Sequence, residues 1–365
     1  MNTASSGSGG PRLFEIFPGL GRNLAWTSLV NTPTPVEQLE TASSQLGKEI
    51  WIKRDDKVSD IYGGNKPRKL EFILAQALAQ GRKTLVTGGG LGTNHGLATT
   101  IFGRRINFKV ILGLVKQPVT KHVRNNLLLC HHYGAEMIYF SSVSKALAYY
   151  YVIERIRRPG AYFIPMGGSS PLGTLGYVNA GLELALQLKR NELPKLQAIF
   201  VAAGTCGTLA GLLLGLKLAE VDTPIIAVQV APGLFTNKKA VLNLTRRALR
   251  LMQRHDKSVP TVYIDRDDII IERGHLGEGY GYPTDTARSA LHFVAETEGI
   301  PLDLTYTAKT FGALMTYLKD TPGKEPVLFW NTFNSLDLSS ICNRVEYHLL
   351  PKAFHRFFDD SHSVQ

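Results

Sequence analysis

Gly63-Gly64-Asn65-Lys66-Pro67-Arg68-Lys69-Leu70-Glu71-Phe72 is the stretch on which the reading of this chain turns. Two glycines open backbone conformations closed to other residues. Asn65 suits a helix cap and Pro67 a first helical turn, after which Leu70 to Ala79 has amphipathic spacing. Lys66 therefore falls at the positive end of a helix dipole, where an ammonium is disfavoured. A depressed lysine pKa is what imine formation with an aldehyde requires, because only the free amine attacks. Taken alone, Lys66 also reads as an ordinary solvated lysine at a helix start, so the rest of the chain has to separate the two.

At 365 residues and 44% hydrophobic content the chain has room for two globular domains. Its net charge of +11 fits either a polyanionic partner or an anionic cofactor and substrate. The basic residues are scattered in pairs such as Arg104-Arg105 and Arg246-Arg247, with no long block and no zinc, homeodomain or RNA-recognition signature. No nucleic-acid partner and no metal site are expected, and Arg246, Arg247, Arg250 and Arg254 read as one solvated helix face. Three widely separated cysteines make no disulfide framework and fit a reducing compartment. Residues 1–12 read as a disordered polar tail rather than a secretory signal. The apolar helical stretch Leu209 to Leu216 is too short to span a bilayer, so a cytoplasmic protein without a membrane partner is expected.

From about Glu49 onward an apolar β-rich run, a small-residue turn and a helical run recur. Strands are predicted at Glu49–Asp56, Thr84–Thr87, Lys109–Leu114, Glu136–Phe140, Tyr162–Pro165, Ala198–Ala202, Ile225–Val230 and Val327–Trp330. Helices are predicted at Val36–Leu46, Leu97–Arg104, Val123–Tyr133, Lys145–Arg157, Gly176–Lys189 and Thr208–Ala219. This alternation implies an α/β fold of mostly parallel sheets flanked by helices. In such sheets ligands bind where strand ends run into helix N-termini.

The segments at those places are unusual. Gly88-Gly89-Gly90-Leu91-Gly92-Thr93-Asn94-His95 enters a helix with exposed N–H groups suited to a carboxylate or phosphate. His95 on its own is as readily a hydrogen-bonded structural histidine as a catalyst. Met166 to Tyr177 is a Gly/Ser-rich helix entry. Gly204-Thr205-Cys206-Gly207-Thr208 has the glycines and hydroxyls of a phosphate cradle. It lacks both the Gly-Lys-Ser/Thr of a nucleoside-triphosphate loop and the Gly-x-Gly-x-x-Gly of a dinucleotide site, so one phosphate fits it better than several. Cys206 reads as a small helix-start residue, since no local basic group would activate it. A lysine at a helix start, a single-phosphate cradle and a carboxylate site together suit pyridoxal 5'-phosphate acting on a small amino-acid substrate.

These segments resemble one family, the 1-aminocyclopropane-1-carboxylate (ACC) deaminase/D-cysteine desulfhydrase group, with its tryptophan-synthase-β-like (fold type II) architecture. The likeness covers about Thr32 to Leu336. It rests on Thr34–Leu39, Lys53-Arg54-Asp55-Asp56, Gly63–Glu71, Thr93-Asn94-His95, Pro165 to Tyr177 and Tyr280-Gly281-Tyr282-Pro283. The resemblance implies that Lys66 holds the cofactor and moves the Cα proton, and that Asn94 hydrogen-bonds the cofactor's phenolic oxygen. It places Gly204, Thr205, Cys206, Gly207 and Thr208 at the phosphate and Thr332 within reach of the pyridine nitrogen. Thr93, with Asn94 and His95, would face the substrate carboxylate, and Tyr280 and Tyr306 the rest of the substrate.

His95 and Thr307 stand where desulfhydrases look like Ser-Asn-His and Tyr-Thr-Gly-Lys, whereas deaminases have Gln and Glu. A hydroxyl such as Thr307 in place of a carboxylate leaves the cofactor a weaker electron sink, which suffices where a sulfide leaving group drains the carbanion. The implied reaction is β-elimination from D-cysteine to pyruvate, ammonia and sulfide. ACC ring opening and a catalytically silent relative are the alternatives. The chain departs from the family pattern at Thr93, at Ala308 and at Asn331-Thr332-Phe333-Asn334. The resemblance further implies a homodimer with a large cofactor-binding domain (13–64 and 166–365) and a smaller inserted domain (65–165).

Overall fold

The strand Ala198–Ala203 is buried along its whole length. Ile199 and Val201 point into one core, and Ala198, Phe200 and Ala202 into another. Val327–Trp330 alternates the same way, with Leu328 and Trp330 opposite Val327 and Phe329. Strands apolar on both faces need cover on both, which a parallel sheet obtains from helix layers. The computed structural model describes residues 10–150, 160–321, 323 and 325–359.

The strands are β1 Val36–Gln38, β2 Ile50–Lys53, β3 Thr84–Gly90, β4 Lys109–Val115, β5 Glu136–Phe140, β6 Ala161–Phe163, β7 Ala198–Ala203, β8 Ile225–Gln229, β9 Ile270–Glu272 and β10 Val327–Trp330. They form a six-stranded sheet in the order β1-β2-β10-β7-β8-β9 and a four-stranded sheet in the order β5-β4-β3-β6. Every pairing is parallel except β1 with β2. The helices are α1 Arg12–Ile16, α2 Pro18–Asn23, α3 Glu40–Leu46, α4 Asn65–Ala79, α5 Asn94–Arg105, α6 Lys121–His132 and α7 Val143–Ala148. After these come α8 Pro171–Lys189, α9 Gly207–Leu218, α10 Lys238–His255, α11 Asp285–Glu298, α12 Thr307–Asp320 and α13 Ser339–Cys342.

Several expectations are corrected. Val36–Leu46 is not one helix: Val36–Gln38 pairs antiparallel with β2, and α3 begins only at Glu40. Gly88-Gly89-Gly90 is not loop but the end of β3, paired with Gly113–Val115. A Cβ on Gly88 would lie 2.6 Å from the Gly113 carbonyl oxygen, so glycine permits the close approach. The short strand β9 carries too little pattern to be read from sequence. Of the expected tail 1–12, residues 1–9 lie outside the described residues and Arg12 opens α1. The helix expected at Lys145–Arg157 is described as α7 through Ala148, and its part from 151 onward lies outside the described residues. The C-terminal segment, assigned from sequence to the larger domain, packs on the smaller sheet. Cys342, Leu350, Phe354 and Phe357 share a core with Leu127 and Met137.

Helix α4 joins the two cores. Leu70, Ile73, Leu74 and Ala77, spaced three and four apart, enter the core of the smaller sheet, while Phe72 enters that of the larger. Its first turn is fixed by a buried ionic cluster. Arg68 is 1% exposed; its Nη2 donates to Asp55 Oδ1 at 2.7 Å and its Nη1 to Glu183 Oε2 at 2.9 Å. Lys53 Nζ donates to Glu183 Oε1 at 2.6 Å and to the Thr34 carbonyl at 2.7 Å. Tyr177 and Trp330 both donate to Asp55 Oδ2. Two cations thus face two carboxylates, with neutral donors filling the remaining lone pairs.

Burial opposes ionisation of Glu183, but Arg68 and Lys53 outweigh it and bring its pKa down to about 2. Because the folded pKa lies below the unfolded one, the stabilisation is fully present above pH 4.5 and is lost as pH falls toward 2. Glu183→Gln leaves buried cations short of a partner, and its expected cost in chemical denaturation at pH 7 is about 3–5 kcal/mol. That difference from the wild type should shrink as pH falls below 4.5. A variant within about 0.5 kcal/mol of wild type, the range of ordinary surface substitutions, would show that the Glu183 carboxylate does not stabilise the fold.

Candidate active site

A cavity of about 810 Å³ opens where α4, the β3–α5 turn, the β7–α9 turn and the loop after β10 converge. This volume is within the range of small-molecule sites. Lys66, Thr93, Asn94, His95, Gly204, Thr205, Cys206, Gly207, Thr208, Tyr280, Tyr306 and Thr332 all line it. Residues up to 266 positions apart in sequence thus share one space. Thr307 is the expected site residue that does not line it.

The backbone around Lys66 is tied on three sides. Gly64 N donates to the Asp55 carbonyl at 2.7 Å, Asn65 N to the Thr332 carbonyl at 3.2 Å, and Gly63 N to Asn334 Oδ1 at 2.6 Å. A Cβ on Gly63 would lie 1.9 Å from the Asp56 carbonyl oxygen, and Gly64 has φ of 86°. Both positions therefore require glycine. The cap at this helix end is Gly64 rather than Asn65, whose amide instead donates to Thr208 Oγ1 at 3.1 Å. Burial, only partly opposed by Asp303, lowers the Lys66 pKa to about 8. Desolvation is thus the main cause, where the sequence pointed to the helix dipole.

At the β3–α5 turn Thr93 is the N-cap, its Oγ1 accepting from Gly96 N at 3.1 Å. Asn94 Oδ1 accepts from Asn126 Nδ2 at 2.9 Å and lies 2.9 Å from His122 Nε2. With that oxygen engaged, the NH2 end of Asn94 is the end left for a ligand acceptor. His95 Nε2 is 3.0 Å from Thr87 Oγ1, and Thr87 donates its one hydroxyl proton to the Ile164 carbonyl. His95 must therefore donate from Nε2, leaving Nδ1 as an acceptor. Burial, then Lys66 and Lys69, holds its pKa well below the ordinary value, so the ring is neutral.

The β7–α9 turn forms the opposite end. Cys206 adopts φ of 64°, a left-handed conformation uncommon outside glycine. Thr236 Oγ1 steadies the loop by donating to the Gly204 carbonyl at 2.6 Å and the Ala203 carbonyl at 3.1 Å. Ser169 Oγ accepts from Gly207 N at 3.2 Å and pairs with Thr205 Oγ1 at 2.7 Å. A Cβ on Gly207 would meet Ser169 Oγ at 2.6 Å and Lys69 Nζ at 3.1 Å. This space beside a helix N-terminus, with hydroxyls and the Lys69 amine around it, fits one phosphate; burial and then Lys66 hold the Lys69 pKa well below the ordinary value, and an anion here would restore its proton. Burial raises the Cys206 thiol pKa, consistent with an unreactive thiol.

The third wall is a phenol pair. Tyr280 and Tyr306 hydroxyls are 2.5 Å apart, and burial pushes both pKa values up, so both are protonated at neutral pH. The Thr307 hydroxyl is spent on Asp303 Oδ1 at 2.7 Å. Asp303 also accepts from the backbone N–H groups of Thr305, Tyr306 and Thr307, and it is Asp303 that lines the cavity. A carboxylate is therefore present where the sequence pointed only to a hydroxyl. Sequence reasoning missed Asp303, Lys69, His122 and Asn126. For Lys69 the signal was its place three residues after Lys66, on the same helix face.

Among the described residues no group of His, Cys, Asp and Glu could hold a metal ion, and no helix is long and apolar enough to cross a membrane. The family of pyridoxal-phosphate dependent enzymes matches residues 27–332. The D-cysteine desulfhydrases of Salmonella paratyphi C (strain RKS4594) and Salmonella choleraesuis (strain SC-B67) are each 32% identical to this chain over 314 residues, 83% of it and 92% of their own length. A crystal structure of "the ACC deaminase homologue" is 29% identical, with a TM-score of 0.75 over 89% of this chain and 95% of its own. The family match spans the lysine stretch, both helix-end turns and the phenol pair, and this chain belongs to the pyridoxal-phosphate dependent enzymes as a fold type II lyase of the ACC deaminase/D-cysteine desulfhydrase group.

Proposed function

We propose that the chain is a D-cysteine desulfhydrase-like lyase that releases a sulfur leaving group from the β-carbon of a small amino acid. The observation that carries this is one cavity holding a deprotonatable lysine, a single-phosphate cradle and a pair of protonated phenols. The phosphate would lie against the N–H groups of Gly204–Thr208, with Lys69 beside it as the amine that the phosphate's own charge would keep protonated. Asn94 would donate its NH2 to the phenolic oxygen of the cofactor. Thr332, in the loop after β10 whose carbonyl accepts from Asn65 N, lines the cavity and would offer its hydroxyl to the ring nitrogen. The substrate carboxylate would sit at the α5 N-terminus beside Thr93 and His95.

Bound pyridoxal phosphate supplies an electron sink for the pair left when the Cα proton departs. Lys66, with its pKa near 8, is a free amine in about a tenth of molecules at pH 7, far more than an ordinary lysine. As a free amine it would hold the cofactor's aldehyde and is the base placed to take the Cα proton. The phenols hold a proton on the far wall. Tyr306 and Tyr280 share one short hydrogen bond, so either hydroxyl can pass its proton to a departing thiolate while the other restores the contact. Burial of both phenols favours the neutral form that this role needs.

The domain division with the cofactor between two units, a homodimer and a cytoplasmic setting complete the reading. The two sheets meeting at the cavity support the first. Likeness to the family supports the second, and three buried free cysteines the third.

Purified protein loaded with pyridoxal phosphate is expected to release sulfide and pyruvate from D-cysteine, whereas ACC ring opening would yield 2-oxobutanoate. Lys66→Ala should abolish turnover and the borohydride-reducible visible band; retention of that band would overturn the lysine assignment. Tyr306→Phe is expected to lower kcat on D-cysteine by about 100-fold or more, with a smaller change in KM, as for loss of a proton donor. An unchanged kcat would remove the phenol pair from the proton path.

A further inference from the structure

Besides Lys66 and Lys69, the cavity lining includes two more cations, Lys116 and Arg356, both exposed and so at its solvent-facing, outer end. Arg356 belongs to the short turn Lys352–Phe357 of the C-terminal segment, which packs on the smaller sheet. Its guanidinium lies 4.5 Å from the ring centroid of Tyr139 and 4.9 Å from that of Phe357. Stacking on two rings fixes the planar group while leaving its edge N–H donors free. Among the described residues no carboxylate forms an ion pair with Arg356, and the acidic group lining the cavity is Asp303, whose oxygens already accept four hydrogen bonds. Tyr139 and Phe357, against which Arg356 lies, give this end apolar walls, and Phe333 lines the same cavity. Phe333 is held in place by packing against His122, with ring centroids 5.7 Å apart.

A three-carbon amino acid beside the cofactor would leave this end of the cavity unused. A pre-oriented guanidinium behind aromatic walls suits a flat anion on a short apolar stem, because its fork matches a carboxylate in two parallel hydrogen bonds. We propose that the outer end is a distal anion subsite, centred on Arg356 with Lys116 beside it, which selects cysteine S-conjugates whose β-substituent ends in a carboxylate. The proposal rests on the lyase reading and names its substrate class. The substrate R–S–CH2–CH(NH3+)–COO− plus water gives R–SH, pyruvate and ammonium. The Cβ–S bond breaks with its electron pair going to sulfur, which takes a proton, and water supplies the pyruvate oxygen.

The test compares S-carboxymethyl-cysteine with the isosteric S-carbamoylmethyl-cysteine, both as D and L forms, on holoenzyme. Binding is read from the change in the cofactor's visible band, and turnover from thiol and pyruvate release. The subsite predicts that wild type prefers the carboxylate by about tenfold or more in Kd, one charge-assisted contact's worth. Arg356→Gln should bring the ratio close to one, and Arg356→Lys should restore only part of it, since an ammonium keeps the charge without the fork. A wild-type ratio near one, or a ratio unaffected by Arg356→Gln, would overturn the subsite. A preserved binding preference without thiol release would support the subsite and overturn the lyase reading instead.

Discussion

The contact on which this molecule depends is the buried pairing of Arg68 with Asp55 and Glu183. Arg68 stands two residues after Lys66, Asp55 opens the short turn just after β2, and Glu183 is on α8. One guanidinium thus ties the first turn of α4 to the turn that follows β2 in the larger sheet and to a helix covering that sheet. The Asp55 carbonyl also accepts from Gly64 N, so the same residue holds the loop in front of the lysine. Buried ion pairs are expensive to desolvate, and a hydrophobic replacement often stabilises as well or better. What the polar cluster adds here is position. A hydrophobic patch would tolerate small shifts of α4, whereas fork-shaped donors on two carboxylates fix both its rotation and its advance.

That fixed placement explains how Lys66 is made reactive. An ammonium at a solvated helix end would lose little of its basicity. Held instead against a cavity between two cores, it is deprived of water, and Asp303 compensates only in part. The cradle at α9 and the amide of Asn94 lie on different elements, yet each is oriented by neighbours that never touch the cavity's centre. Thr236 and Ser169 set the cradle, and Asn126 and His122 turn the Asn94 amide. The loop after β10 closes the arrangement. Its Asn334 accepts a hydrogen bond from Gly63 N. A position where the sequence departs from the family pattern is therefore part of the support for the lysine loop.

Much of this was legible in the sequence, for physical reasons. Parallel strands buried on both faces write long apolar runs, so β5 and β10 were placed residue for residue, and glycine-rich strand ends pointed to the ligand-facing turns. Lys66, Asn94 and the Gly204–Thr208 turn were found because their chemistry is local. Asp303 was not, because its role arises from where α12 begins relative to the cavity, and its local pattern is that of a helix cap. Thr307 misled for the complementary reason: a hydroxyl at the right motif position is consumed four residues back along the chain. The edge strand β1 was hidden by a pattern that continues smoothly into α3. Arg356 could not have been connected to the site at all, since only the folding of the C-terminal segment over the smaller sheet brings it to the cavity.

The central claim is that burial, set by the anchoring of α4, prepares Lys66 to act as a free amine. The direct measurement is the pH dependence of Lys66 acylation in cofactor-free protein, followed peptide by peptide in wild type and in Arg68→Met. The account predicts half-modification near pH 8 in the folded wild type, and a shift toward the ordinary lysine value of 10.5 in the variant. Lys66 titrating in the wild type like the exposed lysines around it would contradict the account.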